Sequence, residues 1–157
     1  MAVDAKKLKK DLAKIVGKEH VFTDRPTSLA YAKDTMPWDV EERNMPHAVV
    51  RPVNSNEISL ILRYANQKKI PVHIHGSGTS LVGLGRPKTN CIVLDTGRMK
   101  TLEVFPERGY FEVGPGYHIG KIVIFVVAIH SRKTHLAVSF KPFSCLCKHF
   151  FRNIKNG

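Results

Sequence analysis

The residues with a chemical purpose lie between Pro71 and Gly85, in PVHIHGSGTSLVGLG. Four glycines fall there within ten residues, interleaved with Ser77, Thr79 and Ser80 and preceded by His73 and His75. Glycine takes positive φ without steric cost and has no Cβ, so consecutive N–H groups can converge on one anion. The three hydroxyls add further donors. The chemistry this implies is anion binding, and a pyrophosphate is the anion such a loop suits. Spacing excludes the two common phosphate motifs. A G-x-G-x-x-G fingerprint fails because the next glycine after Gly76 and Gly78 is Gly83, and a P-loop fails because no Gly-Lys-Ser/Thr triplet occurs. On pattern alone, the competing reading is a plain turn between two strands.

Other candidate groups are weaker. His130, His135, Cys145, Cys147 and His149 can ligate metals, but a Cys-x-Cys with these histidine spacings matches no standard zinc pattern, so no metal site is expected. Cys91 ends no motif and reads as a core residue. His73 and His118 read as structural or cofactor-proximal, and no catalytic base or substrate clamp is named.

The loop needs elements to hold it. Val72 and Ile74 alternate with His73 and His75, the period of a half-buried strand feeding the glycines. Before it, Ala48-Val49-Val50 is a brief β run. A helix follows, with Asn54 three residues ahead of Glu57 in capping-box spacing and Ile58, Ile61, Leu62 and Ala65 on one face. After the loop, Cys91 to Leu94 is a continuous apolar run, consistent with a buried strand ending at Asp95. Leu102–Phe105 and Tyr110–Val113 flank Pro106-Glu107-Arg108-Gly109 as a hairpin. At the N-terminus, residues 4–16 read as a helix capped by Asp4, with Leu8, Leu12, Ile15 and Val16 at helical spacing. Asp24-Arg25-Pro26 starts a second, short one, and Trp38 lies in a loop. The sum is five short strands with two or three helices packed on them, an α+β fold.

Composition bounds the function. The 157 residues suit one domain with a core, and the hydrophobic content of 43% is ordinary. The net charge is +12, and half of the excess comes from residues 122–157, which hold 6 Lys/Arg and no acid. The rest of the chain mixes charges on amphipathic segments without interleaved aromatics, which argues against specific nucleic-acid binding. Three cysteines form no disulfide framework, and the first residues do not resemble a secretory signal. The longest apolar run, Ile122–Ile129, is far short of the ~20 residues that span a bilayer. A cytoplasmic protein without a transmembrane segment is the expectation.

The succession PHAVVRPVNSNEISLILRYANQKKIPVHIHGSGTSLVG, then CIVLDTGRMKTLEV, then FEVGPGYHIG, resembles the N-terminal part of the FAD-linked oxidase domain of vanillyl-alcohol oxidase and p-cresol methylhydroxylase type flavoenzymes. Within that family the likeness is to the D-lactate dehydrogenase and glycolate oxidase flavoprotein-subunit branch, over about residues 17–121. The resemblance implies the first subdomain of a two-subdomain FAD-binding domain. It also implies that His75, Gly76, Ser77, Gly78, Thr79, Ser80 and Gly83 hold the FAD pyrophosphate. Members that link flavin covalently carry histidine where this chain has Thr79, so the implied FAD is non-covalent. Two residues depart from the family. His75 replaces an arginine, exchanging a fixed cationic fork for an imidazole, and Leu84 replaces a small residue.

By this likeness, residues 1–45 form an N-terminal helical segment and 46–121 a partial FAD-binding domain. Residues 122–157 are a non-matching basic tail, expected to be truncation or frame-change sequence. The implied function is that of a truncated domain from an FAD-dependent oxidoreductase acting on a 2-hydroxy acid such as D-lactate or glycolate, with an external electron acceptor. The alternative is an inactive folded remnant or interaction module without flavin.

Overall fold

The computed structural model describes residues 4–35, 37, 39–108, 110–118 and 120–122. The chain divides into two compact units, Met1–Arg98 and Met99–Gly157. The stretch from 123 to 157 and Trp38 lie outside the described residues, as do the expectations placed on them.

The first unit opens with α1 (Ala5–Val16), whose first amides are satisfied by the Asp4 carboxylate, at 2.9 Å from Lys6 N and 3.2 Å from Lys7 N. Its lysines face solvent, while Leu8, Leu12 and Val16 are buried. Strand β1 (Val21–Phe22) leads into α2 (Arg25–Tyr31), capped by Asp24 through Thr27 N and helped by a proline in its first turn. Next come β2 (Ala48–Val50) and α3 (Ser55–Lys68). Asn54 Oδ1 accepts from Glu57 N, as its spacing predicts. The Glu57 carboxylate, however, reaches Val53 N at 2.8 Å, one residue earlier than in the standard capping box. Lys69, in the left-handed region at φ 55°, ends the helix. Then β3 (Val72–His75) and β4 (Ile92–Asp95) complete a sheet of order β1-β2-β4-β3.

Strand β1 is antiparallel to β2, whereas β2, β4 and β3 run parallel. Parallel neighbours need a crossover, which α3 supplies between β2 and β3, leaving β4 to enter between them. The interior strands β2 and β4 are buried along their whole length, which is why both read as unbroken apolar runs. Strand alternation sorts their side chains. Val49, Val93 and Cys91 form one face, against which Phe22 and Tyr31 pack. Ala48, Val50, Ile92 and Leu94 form the other, and α1 lies over β1 and β2. Burial pushes the Cys91 thiol up to about 12, as befits a core residue.

Strand β3 alternates as its sequence predicts, and the structure adds the phase at its end, where Ile74 is 50% exposed and the two histidines are half-buried. Register gives the reason. His73 and His75 pair with Val93 and Asp95 and so share the α2 face, while Ile74 pairs with Leu94 on the face where α1 covers the opposite side of the sheet. The structure also adds β1, which brings the described strands to six.

Residues 39–45 brace the segment that returns from the glycine loop. Asn44, buried in a short 3-10 turn (Glu42–Asn44), accepts from Arg86 Nη2 at 2.7 Å and from Glu41 N, and donates to Pro87 O at 2.8 Å. Asn90 Nδ2 donates to Glu42 O and Met45 O. Residues 39–45 thus pack with the segment before β4 within the first unit. In the second unit, β5 (Leu102–Phe105) and β6 (Tyr110–Val113) form the expected antiparallel hairpin. Phe105 and Tyr110 stack at 4.9 Å, and Phe111 is fully buried.

Asn44 is the partner of Glu41 N and Pro87 O and the second acceptor for Arg86 Nη2, which Asp39 O also holds. Asn44→Ala is therefore expected to destabilise the chain by about 2–3 kcal/mol. In urea denaturation this should appear as a lower midpoint with an unchanged slope.

Candidate functional site

In a parallel sheet, ligands bind outside the carboxyl ends of the strands, because the connecting loops gather there. In this unit the carboxyl ends are Val50-Arg51, Leu94-Asp95 and Ile74-His75, and the glycine loop leaves directly from the third. The structure therefore places His75, Gly76, Ser77, Gly78, Thr79 and Ser80 in one continuous turn at this edge. Gly78 and Gly83 both adopt positive φ, at 68° and 78°. The outgoing limb folds back, so that a Cβ on Gly85 would lie 3.6 Å from Gly78 Cα and 3.8 Å from Ser80 Cβ.

The loop divides its polar groups between bracing and presentation. Ser80 Oγ accepts from Val82 N and Leu84 N at 3.3 and 3.1 Å, and Thr35 Oγ1 donates to Gly78 O at 3.2 Å. Ser77 and Thr79 share one hydroxyl bond at 3.3 Å, which leaves one of their two hydrogens to give. The N–H groups of Ser77, Gly78 and Thr79 meet no acceptor among the described residues. A Cβ on Gly76 would meet nothing within 4 Å, whereas at Gly78 it would lie 3.0 Å from His75 Nε2. The turn is thus packed at Gly78 and open at Gly76, and its three amides without an acceptor are a donor set that suits a pyrophosphate.

Beneath the loop lies a network that sequence reading missed. Asp95, 6% exposed, accepts from Tyr31 Oη at 2.6 Å and Gly97 N at 2.7 Å, and pairs with Arg51 Nε at 3.0 Å. Arg98 Nη1 donates to Arg51 O at 2.6 Å. Burial and the Asp95 carboxylate push the Tyr31 phenol well above its ordinary value, so it remains a donor. The Tyr31 ring meets the His75 ring edge-on at 4.7 Å. The one sequence signal was Asp95 itself, a carboxylate ending a wholly apolar strand.

His73, half-buried one turn of the pleat earlier, has its basicity lowered by desolvation and by neighbouring His75, with a hydrogen bond to the Gly85 backbone opposing this. His118 belongs to the second unit, where its Nδ1 accepts from Gly120 N in a local turn. No cluster of three or more His, Cys, Asp or Glu suited to a metal occurs among the described residues. Among the same residues, no helix is long and apolar enough to cross a membrane.

A mixed sheet with a donor-lined glycine loop at its parallel strand ends defines a cofactor-binding class, and comparison with known proteins makes it specific. The family described as FAD binding domain matches residues 46–139, and the chain belongs to it. The match runs past Lys121, where the likeness of individual motifs ends. D-lactate dehydrogenase of Archaeoglobus fulgidus is 45% identical over 95 residues, covering 60% of this chain and 20% of that protein. Glycolate oxidase subunit GlcD of Bacillus subtilis is 33% identical over 112 residues, covering 71% of this chain and 23% of that protein. The chain thus spans about a fifth of the length of the curated relatives it matches. Among solved structures, p-cresol methylhydroxylase superposes with a TM-score of 0.68 at 21% identity, covering 80% of this chain and 25% of its own. The 4-ethylphenol oxidase of Gulosibacter chungangensis gives 0.67 at 25% identity, covering 82% and 26%. The expected mixed fold and its FAD-linked oxidase relationship are both borne out.

Two outcomes follow from the loop's geometry. Gly78→Ala should cost about 1–2 kcal/mol, since alanine is strained at its positive φ and faces the His75 ring, whereas Gly76→Ala should change stability by less than about 0.5 kcal/mol. Denaturation of both variants checks the contrast. The second concerns pH. Because the folded state lowers the His73 pKa below the ordinary 6.5, the unfolded chain takes up the proton first as pH falls. Stability is therefore complete above about pH 6.5 and declines below it, down to the folded pKa. His73→Gln should flatten that part of the profile in thermal melts from pH 7.5 to about pH 5.

Proposed function

We propose that this chain supplies the pyrophosphate-holding part of the cofactor site of an FAD-dependent oxidoreductase that oxidises a 2-hydroxy acid such as D-lactate or glycolate. The observation that carries this reading is the glycine turn, where the N–H groups of Ser77, Gly78 and Thr79 meet no acceptor among the described residues and nothing fills the space over Gly76. The names of the two relatives, D-lactate dehydrogenase and glycolate oxidase, supply the substrate class.

The chain's own residues do three things in this scheme. The amides and the spare Ser77 or Thr79 hydrogen donate to the pyrophosphate oxygens, and the hydroxyl hydrogen of Ser80 adds a donor while its lone pairs brace the loop. Gly76 lets the ligand approach the backbone. Thr79 offers no imidazole for a covalent link, so the cofactor is held non-covalently. The chemistry that bound FAD supplies is two-electron oxidation at the substrate α-carbon, with the electrons passed on to an acceptor outside the chain. Exposed Ile74, Leu81, Val82 and Leu84 edge the donors with apolar surface, and covering that surface would strengthen each hydrogen bond beside it.

The test is flavin binding by the purified chain, followed by fluorescence on titration with FAD. Wild type should bind, Gly76→Ala should weaken binding about tenfold with no change in melting temperature, and acid precipitation should release all flavin to the supernatant. Flavin retained in the precipitate would refute the non-covalent assignment. No binding at any FAD concentration would refute the cofactor role and leave a folded module without flavin.

A further inference from the structure

Besides the Thr35 hydroxyl on the Gly78 carbonyl and the Ser77–Thr79 hydroxyl bond, the glycine turn rests on a floor. His75 lies directly under Gly78, with Nε2 and Cε1 at 3.0 and 3.1 Å from where a Cβ would stand. Its Nδ1 is buried without a hydrogen-bond partner, so no bond of that atom fixes the imidazole's rotation. The contact that sets it is the edge of Tyr31, reaching across from α2, a helix remote in sequence from the loop. The Tyr31 ring is in turn fixed through its hydroxyl to Asp95, and Asp95 is held by Gly97 N and Arg51 Nε. Arg51 is anchored at its own carbonyl by Arg98.

A buried carboxylate is an expensive way to pack a helix on a sheet, because apolar side chains of the same volume would do so at no desolvation cost. What apolar packing would not supply is a direction for the phenol ring. We propose that Tyr31, with Asp95 and Arg51 behind it, is the positioning residue of the glycine loop: the Asp95 carboxylate orients the tyrosine ring, the ring orients His75, and His75 sets the turn at Gly78. This deepens the FAD reading and rests on it for its purpose, while the mechanical link can be measured without any cofactor.

Tyr31→Phe removes only the hydroxyl and keeps the ring, and Asp95→Asn keeps the shape and removes the charge. In the full chain without FAD, 15N relaxation should give order parameters near 0.8 for Gly76–Thr79 in wild type, falling below about 0.6 in Tyr31→Phe, while α3 and β4 keep theirs. The His75 ring resonances should move in the same variant as its aromatic neighbour loses its set angle. With FAD, each single variant should bind about tenfold more weakly, and the double variant no more weakly than the worse single one, because both break the same link. Unchanged loop order parameters and unmoved His75 signals in both Tyr31→Phe and Asp95→Asn would overturn the proposal. So would additive losses of FAD affinity. If wild type binds no FAD but the loop loosens as described, the positioning link stands and the FAD reading fails.

Discussion

A carboxylate buried at the end of a strand constrains everything around it. Asp95 closes β4 with almost no contact with water, and an unpaired charge there would cost several kcal/mol. The chain meets that cost with partners from three places: hydrogen bonds from a tyrosine on α2 and from a backbone amide two residues on, and an ion pair with an arginine following β2. Each partner must arrive at the same small volume, so the end of α2, the end of β2 and the turn after β4 are tied to one another. The carboxyl edge of the sheet, from which a parallel-strand site must be built, is thereby made rigid before the loop begins.

The loop then uses little of its own material for support. Its braces come from outside or from one hydroxyl: Thr35 on the Gly78 carbonyl, Ser80 across the second turn, and Arg86 anchored to Asp39 O and Asn44. With the turn braced in this way, the proposed anion would bear less of the entropy of arranging its donors. His75, with Nδ1 buried and its ring close under Gly78, is part of the floor of that turn.

How much of this was legible depended on the range of the signal. Helices α1 and α3, strand β4 and the β5–β6 hairpin announce themselves through caps, periodicity and turns within a dozen residues, and they formed where expected. The phase of β3 was not legible, because alternation gives a period but not which side is covered; that is decided by the edge position of the strand and by where α1 lies. The glycine loop was visible as a composition, and its family likeness suggested the ligand proposed for it. The support beneath it was not visible, since Tyr31 and Asp95 are 64 residues apart and Asn44 and Arg86 are 42 apart. Nothing local marks such pairs. Only the folding of α2 and the 39–45 segment onto the sheet creates them.

Two glycines two residues apart show why a glycine-rich loop cannot be read as one motif. Gly78 is required from within: its φ is positive and the His75 ring occupies the space a side chain would need. Gly76 is required by nothing in the chain, having an unremarkable φ and open space around it. Conformational freedom therefore explains the first and not the second, although both stand in the same turn and both would count equally in a pattern. If the second glycine is there for a reason, that reason must approach from outside, close enough to the backbone that even a methyl group would intrude. The proposed pyrophosphate, lying along the amides of Ser77 to Thr79, would make that approach, whereas a plain turn between two strands would leave Gly76 without a reason.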